Sequence, residues 1–357
     1  MIGSKLTKPG MGFLTIARDM GEKLEPGMKA LADNAKFAME NGYVALEVAA
    51  FPREMGGTPR DFNGETINVD WALANLEEAV EGIKRIEGET GVVVEALCYC
   101  ANQIGSKLDR DHTDKLIDLA IKAGIPNVVG FIGNVNAEII AARAAGADTW
   151  SGDQRESYFR HQLRQRIAPM VKKANDGGVN YAAEPCSMRG ALGSNDYSLS
   201  TNWFSNPGEI DIVLEEVPGI TMWGDISHAR NYRAQNQGDP VARVPVEKMF
   251  KKYGPIMVGI HLKDGEDNVE GMDKHWGVGN TFSDNTHTGD LWNAKAPGDG
   301  QVDFPHHERC AVKYAPKAMI RSVEMEDLDV KGRAGNETAL KEVSKFYQPI
   351  IDARGVE

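Results

Sequence analysis

The chain has 357 residues, 41% of them hydrophobic and 26% charged, which suits one large α/β domain or two ordinary ones. Asp and Glu outnumber Lys and Arg by 52 to 40, and a net charge of −12 argues against a nucleic-acid partner, whose phosphates need clustered basic groups. No apolar run approaches the roughly 20 residues of a membrane span. The N-terminal stretch is broken by Gly, Thr, Arg and Asp and lacks the apolar core and cleavage site of a signal peptide, so a cytoplasmic location is expected. Cys98, Cys100, Cys186 and Cys310 lie in or beside apolar runs. The single residue between Cys98 and Cys100 is one too few for the usual zinc or redox pair, which leaves buried free thiols as the expectation.

Short apolar runs alternate with longer amphipathic ones, the pattern of parallel strands joined by helices. Gly12–Ala17 is read as the first strand and Met28–Asn41 as the helix after it. Val44–Ala50 is the second strand, Trp71–Glu87 a helix with Leu, Ala, Val and Ile at helical spacing, and Gly91–Tyr99 the third strand. A helix over His112–Ala123 ends at Gly124, and Asn127–Ile132 is the fourth strand. After an expected insertion at about 136–156 come the helix Ser157–Asn175 and the fifth strand, Val179–Ala183. Pro207–Val217 and Val246–Tyr253 are helices flanking the sixth strand, Ile220–Gly224. Ile256–Leu262 is the seventh strand, Lys317–Met325 the eighth, and Glu337–Ile351 the closing helix.

Eight strands in this alternation predict one closed (β/α)8 barrel over residues 1–357; a doubly wound open sheet is the alternative, weakened by the lack of a G-x-G-x-x-G after the first strand. Two connections exceed the usual few residues, near 136–156 after strand four and at 264–300 after strand seven. The second is dense in Gly, Asp, Asn, Trp and His, with little periodicity. In a barrel, loops that follow strands lie on the face that carries the active site.

Chemistry concentrates at four strand ends. Glu184, Asp225, His261 and Glu324 stand where strands five to eight stop, and the separations of 41, 36 and 63 residues fit consecutive strand-helix units, the last with the long insertion. In a parallel barrel these ends meet at one rim, so the four can converge on a single cation. Three carboxylates and an imidazole form a hard, oxygen-rich set suited to Mn²⁺ first, with Mg²⁺ or Co²⁺ as alternatives, rather than to structural zinc.

The segments Glu184-Pro, Asp225-Ile-Ser-His228, His261-Leu-Lys263-Asp264, Pro297-Gly-Asp-Gly-Gln-Val-Asp303-Phe and Ser322-Val-Glu324-Met-Glu326-Asp327 resemble, in this order, the xylose-isomerase-like barrel superfamily. That group includes sugar isomerases, ketose 3-epimerases, inosose dehydratase and endonuclease IV. The resemblance implies that Glu184, Asp225, His261 and Glu324 are the metal ligands and that His228 contacts substrate or a second metal position. It implies proton abstraction next to a carbonyl through a metal-stabilised enediolate, with Glu184 and Glu324 as acid and base and His228 in the catalytic set. Lys263, Arg230 and His275, with His228, would hold substrate, and Glu47 at the end of strand two would bind a substrate hydroxyl.

The chain departs from the ketose 3-epimerases where Glu184 is followed by Pro-Cys-Ser-Met-Arg-Gly, and where Asp267 stands in place of an Arg six residues after the strand-seven histidine. A lyase that expels a β-substituent from a 3-oxo-glycoside, or a dehydratase, therefore stands beside the isomerase. The insertion, with Lys274, His275, Trp276, His287 and Trp292, is long enough to close over a larger substrate. The nuclease reading lacks histidines at strands two to four, where Glu47, Cys98 and Gly130 stand, and a non-catalytic sugar-binding barrel is the remaining alternative. The expected partner is a small sugar or sugar derivative, in a homo-oligomer, or in a hetero-oligomer for a glycoside lyase.

Overall fold

A computed structural model of the chain describes residues 3–19, 24, 26–51, 54–55, 58–59, 66–134, 152–185, 202–204, 207–225, 246–267, 292–300, 302–325 and 332–353. At its centre stand eight parallel strands: β1 (Gly10–Leu14), β2 (Ala45–Phe51), β3 (Val93–Cys98), β4 (Asn127–Gly130), β5 (Asn180–Ala183), β6 (Thr221–Asp225), β7 (Met257–Leu262) and β8 (Ile320–Val323). Each pairs with the next, and β8 pairs with β1, so the sheet closes into the expected (β/α)8 barrel. Strands in such a sheet are covered on both faces, and β1, β2, β4 and β5 are buried along their whole length. This is why they read in sequence as continuous apolar runs rather than as alternations.

The helices in chain order are α1 (Ile16–Asp19), α2 (Lys29–Glu40), α3 (Val69–Ala74), α4 (Leu76–Thr90), α5 (Lys107–Ala123), α6 (Gly152–Gln162), α7 (Ala168–Asp176), α8 (Pro207–Glu216), α9 (Val246–Tyr253), α10 (Phe304–Tyr314) and α11 (Gly332–Asp352). A π-helical turn, Leu163–Ile167, joins α6 to α7. Local chemistry sets several ends. Ser106 accepts from the Asp109 N–H at the start of α5, and Gly124 closes that helix at φ 68°, a backbone geometry that favours glycine. Outside the barrel, buried Arg321 of β8 donates to Glu308 of α10 at 2.7 Å, and the Tyr347 hydroxyl of α11 donates to the same carboxylate at 3.0 Å.

Some expectations are corrected. The first strand begins at Gly10 and ends at Leu14, because the chain turns at Thr15 into α1, where Arg18 and Asp19 accept no further strand partner and instead donate their N–H groups back to the Thr15 carbonyl. The helix expected over Trp71–Glu87 is two, since Asn68 caps α3 by accepting from Trp71 and the backbone breaks at Asn75. The eighth strand is confined to Ile320–Val323, the span that can pair with both β7 and β1. Helix α10 was not expected at all, although Asp303 caps it by accepting from the His306 N–H.

The long connection after β7 is anchored at its base. Asp264–Asp267 pairs antiparallel with Trp292–Lys295, and the buried Asp264 carboxylate accepts the N–H groups of Gly298, Gly300 and Val302 at 2.9, 2.9 and 3.0 Å. One side chain thus ties the strand that carries His261 to the Pro297–Asp303 segment that leads into α10. The interior of this connection, 268–291, and the insertion expected near 136–156, up to residue 151, lie outside the described residues. No helix among the described residues is long and apolar enough to cross a membrane.

Candidate metal and active site

The barrel delivers the four strand-end residues to one place. Asp225 is the last residue of β6, paired with His261 of β7, and Glu184 and Glu324 follow β5 and β8 directly. The Glu184 N–H continues the ladder to the Gly130 carbonyl at 3.0 Å, and the Glu324 N–H to the Leu262 carbonyl at 3.1 Å, so both are fixed by the sheet itself. The Glu184 carbonyl also accepts from the Asn202 side chain at 3.1 Å. Ligand atoms from Glu184, Asp225, His261 and Glu324 all lie within 4.8 Å of one another.

The imidazole of His261 is the hub. Its Nδ1 lies 3.0 Å from Glu324 Oε2, 3.3 Å from Glu184 Oε1 and 3.9 Å from Asp225 Oδ2. Its Nε2 lies 2.9 Å from Glu47 Oε2 on the opposite side of the ring. The indole of Trp223 meets the same ring edge-on, with centroids 6.0 Å apart and planes at 74°. Strand alternation puts Trp223 with Asp225, and Gly259 with His261, on the inner face. Gly259 is paired with Trp223, and the missing side chain there leaves room for the indole beneath the site.

The donor set is suited to a cation. Burial raises the Glu184 carboxyl above its ordinary value; His261 works against this, while Glu324 and Asp225 add to it by repulsion. Burial lowers the affinity of His261 for a proton, but the carboxylates of Glu47, Glu324 and Glu184 outweigh it and hold the imidazole well above its ordinary range. Four carboxylates (Glu47, Glu184, Asp225 and Glu324) gather here around the imidazole of His261, with the Lys263 Nζ beside Glu324. Like charges crowded in a dry site are costly unless a counter-charge joins them, and a divalent cation beside Nδ1 would supply it. The residues present fit such an ion.

Lys263 is buried, with Nζ 3.4 Å from Glu324 Oε1. Glu47 is brought to the imidazole as a fully buried side chain. His228, Arg230 and His275 lie outside the described residues, as do Cys186, Glu326 and Asp327. Sequence reading missed Cys100, whose half-buried thiol donates to Glu184 Oε2 at 3.4 Å and lies 3.5 Å from the Cys98 sulfur. The available signal was position: Cys100 follows the end of β3, at the same rim as the other four. The hydrogen bond to Cys98 and burial both hold the Cys100 thiol well above its ordinary value, so it stands beside Glu184 as a neutral donor. Cys98, Cys100 and Cys310 are free thiols, as expected.

No family model matches the chain, and no curated protein matches it. Solved structures do. The IOLI protein with a bound zinc atom is 12% identical with a TM-score of 0.58, over 96% of this chain and 98% of that one. The 3-keto-D-glucoside 4-epimerase YcjR of E. coli is 12% identical with a TM-score of 0.56, over 95% and 100%. An L-ribulose 3-epimerase is 12% identical with a TM-score of 0.56, over 97% and 95%. End-to-end coverage at such low identity is a likeness of fold: the chain is a (β/α)8 barrel, similar in fold to a xylose isomerase domain protein and to these epimerases.

Proposed function

We propose that this protein is a divalent-metal-dependent isomerase or epimerase of a sugar or sugar derivative, acting by proton transfer at a carbon next to a carbonyl. The observation that carries this reading is the convergence of Glu184, Asp225, His261 and Glu324 ligand atoms within 4.8 Å at the C-terminal rim of the barrel. The ion would be Mn²⁺, or Mg²⁺ or Co²⁺, in keeping with three carboxylates and one imidazole. When bound, it supplies a fixed positive charge that favours the developing enediolate oxygens.

The chain's own residues divide the remaining work. Glu184 Oε1 and Glu324 Oε2 face His261 Nδ1, which leaves Glu184 Oε2 and Glu324 Oε1 as the oxygens that take and return the proton. The Cys100 thiol on Glu184 Oε2 and the Lys263 ammonium beside Glu324 Oε1 give the two carboxylates different surroundings, the condition under which one serves as base and the other as acid. Lys263 also offers a cation to substrate oxygens, with His228, Arg230 and His275 as further substrate-holding groups.

A second reading, β-elimination from a 3-oxo-glycoside, uses the same proton abstraction and then expels a substituent from the neighbouring carbon. It is favoured by the long connection after β7 and by the likeness to an epimerase of a 3-keto-glucoside. Metal-loaded protein incubated with ketoses and oxidised glycosides in D₂O, read by NMR and mass, separates the two: an isomerase conserves substrate mass apart from deuterium, and a lyase releases the leaving group. Glu324→Gln is expected to abolish turnover and weaken metal retention. Unchanged turnover in that variant removes Glu324 from the mechanism.

A further inference from the structure

We propose that Glu47 is a positioning residue for the metal site: it holds the Nε2–H of His261 and thereby commits Nδ1 to the metal. The inference rests on the metal-site reading above and deepens it. A neutral imidazole that ligates through Nδ1 carries its proton on Nε2, and that proton needs an acceptor if ring orientation is to be fixed. Glu47 Oε2 stands 2.9 Å from Nε2, and both side chains are fully buried.

Three features show that this contact is built rather than incidental. First, it crosses the barrel interior: β2 and β7 are separated in the sheet by β1 and β8, so no ladder forces the two residues together. Second, the pairing of β2 with β3 shifts register at this point, running from Leu46 opposite Val94 to Glu47 opposite Ala96. An extra residue in one strand re-aims the side chains beside it and is a recurrent device next to active sites. Third, a charged carboxylate in a dry interior is strongly unfavourable without a charged or hydrogen-bonding partner. His261 is the partner Glu47 meets at hydrogen-bonding distance, and Glu47 Oε1 has no hydrogen-bonding partner among the described residues. The carboxylate is therefore not spent on stitching the barrel together. Glu47 Oε2 thus meets the ring at Nε2, while Glu184, Asp225 and Glu324 meet it at Nδ1.

The test compares wild type with Glu47→Leu, which keeps volume but accepts no hydrogen bond, and Glu47→Gln, which accepts without charge. Mn²⁺ affinity is measured by calorimetry, and the Co²⁺-loaded proteins are examined for the paramagnetically shifted, solvent-exchangeable N–H proton of His261. Outer partners of metal-bound histidines are worth roughly 10–100-fold in metal affinity. Glu47→Leu is expected to lose affinity on that scale and to show fast exchange or loss of the N–H signal. Glu47→Gln is expected to keep the signal and lose less affinity. Equal affinity and an unchanged N–H signal in Glu47→Leu overturn the proposal; should that variant not fold, the same two results in Glu47→Met, which also offers no oxygen acceptor, overturn it. A wild-type protein that binds no divalent metal overturns the underlying metal reading as well, and so separates the two failures.

Discussion

Replacing Gly259 with alanine adds one methyl group to the inner face of β7, where a Cβ would overlap Cζ3, Cη2 and Cε3 of the Trp223 ring. Trp223 is fully buried and lies edge-on to His261, so displacing the indole disturbs the packing against the imidazole. Two effects oppose each other. Alanine is favoured over glycine within a strand by roughly 0.5–1 kcal/mol. Forcing a methyl group into a filled core costs about 1–3 kcal/mol, and a rigid indole puts this site toward the upper end. The expected net loss is therefore about 1–2 kcal/mol, read as a lower midpoint in urea with an unchanged slope. The effect on the site should be as large as the effect on the fold. Trp223 is two residues before Asp225 and Gly259 two before His261, each pair on one strand face, so a displaced indole moves two of the four proposed ligands. About a tenfold weaker Mn²⁺ affinity, near 1.4 kcal/mol, is expected. If Gly259→Ala is as stable as wild type and binds Mn²⁺ equally, the indole is not wedged beneath the site and the packing argument fails.

Two further perturbations test the supports around that centre. Asp264→Ala strips the acceptor from three backbone N–H groups; each charge-assisted bond is worth about 1.5–3 kcal/mol, but water can reach part of the 297–302 turn, so a loss of about 2–4 kcal/mol is expected rather than the sum. Limited proteolysis should then cut near 292–302, and a variant with wild-type stability and protease resistance refutes the tether. Burial raises the carboxyl of Glu95 in β3 to about 7 from an ordinary 4.5, so the folded chain holds that proton more tightly than the unfolded chain. Its contribution to stability is complete below pH about 4.5 and is lost as pH rises through about 7, an order of 3 kcal/mol in all. Glu95→Gln should flatten the pH dependence of urea midpoints across that window and stabilise the protein at pH 8; an unchanged pH profile would show that Glu95 does not titrate there.

The order of the barrel was legible because parallel strands covered on both faces leave apolar runs with no alternation, and β4, β5 and β7 stand within two residues of where those runs suggest. Boundaries were less legible, since a strand ends where its neighbours stop pairing: the apolar stretch after Leu14 continues in sequence, yet the chain leaves the ladder there for α1. Helix α10 was hidden for another reason. Asp303-Phe-Pro is a helix start with a cap and an early proline, but it closes a Gly- and Asp-rich segment that reads as loop. The Asp264–Asp267 ribbon shows no period-two pattern, and pairing across a long insertion is not encoded by local periodicity.

The candidate site divides along the same physical line. Convergence of Glu184, Asp225, His261 and Glu324 follows from connectivity alone, because consecutive parallel strands end at one rim and the spacing counts the units between them. Contacts across the interior follow from shear, from the register shift at Glu47 and from side-chain orientation, none of which leaves a spacing to count. That is why neither the contact of Glu47 with the imidazole nor the bond from the Cys100 thiol to Glu184 could be read from the sequence. The two kinds of residue should also fail differently. A rim ligand contributes a donor atom, so its loss removes coordination itself. A residue such as Glu47 sets only the orientation of a donor that remains, so its loss should degrade affinity while leaving the ligand count intact.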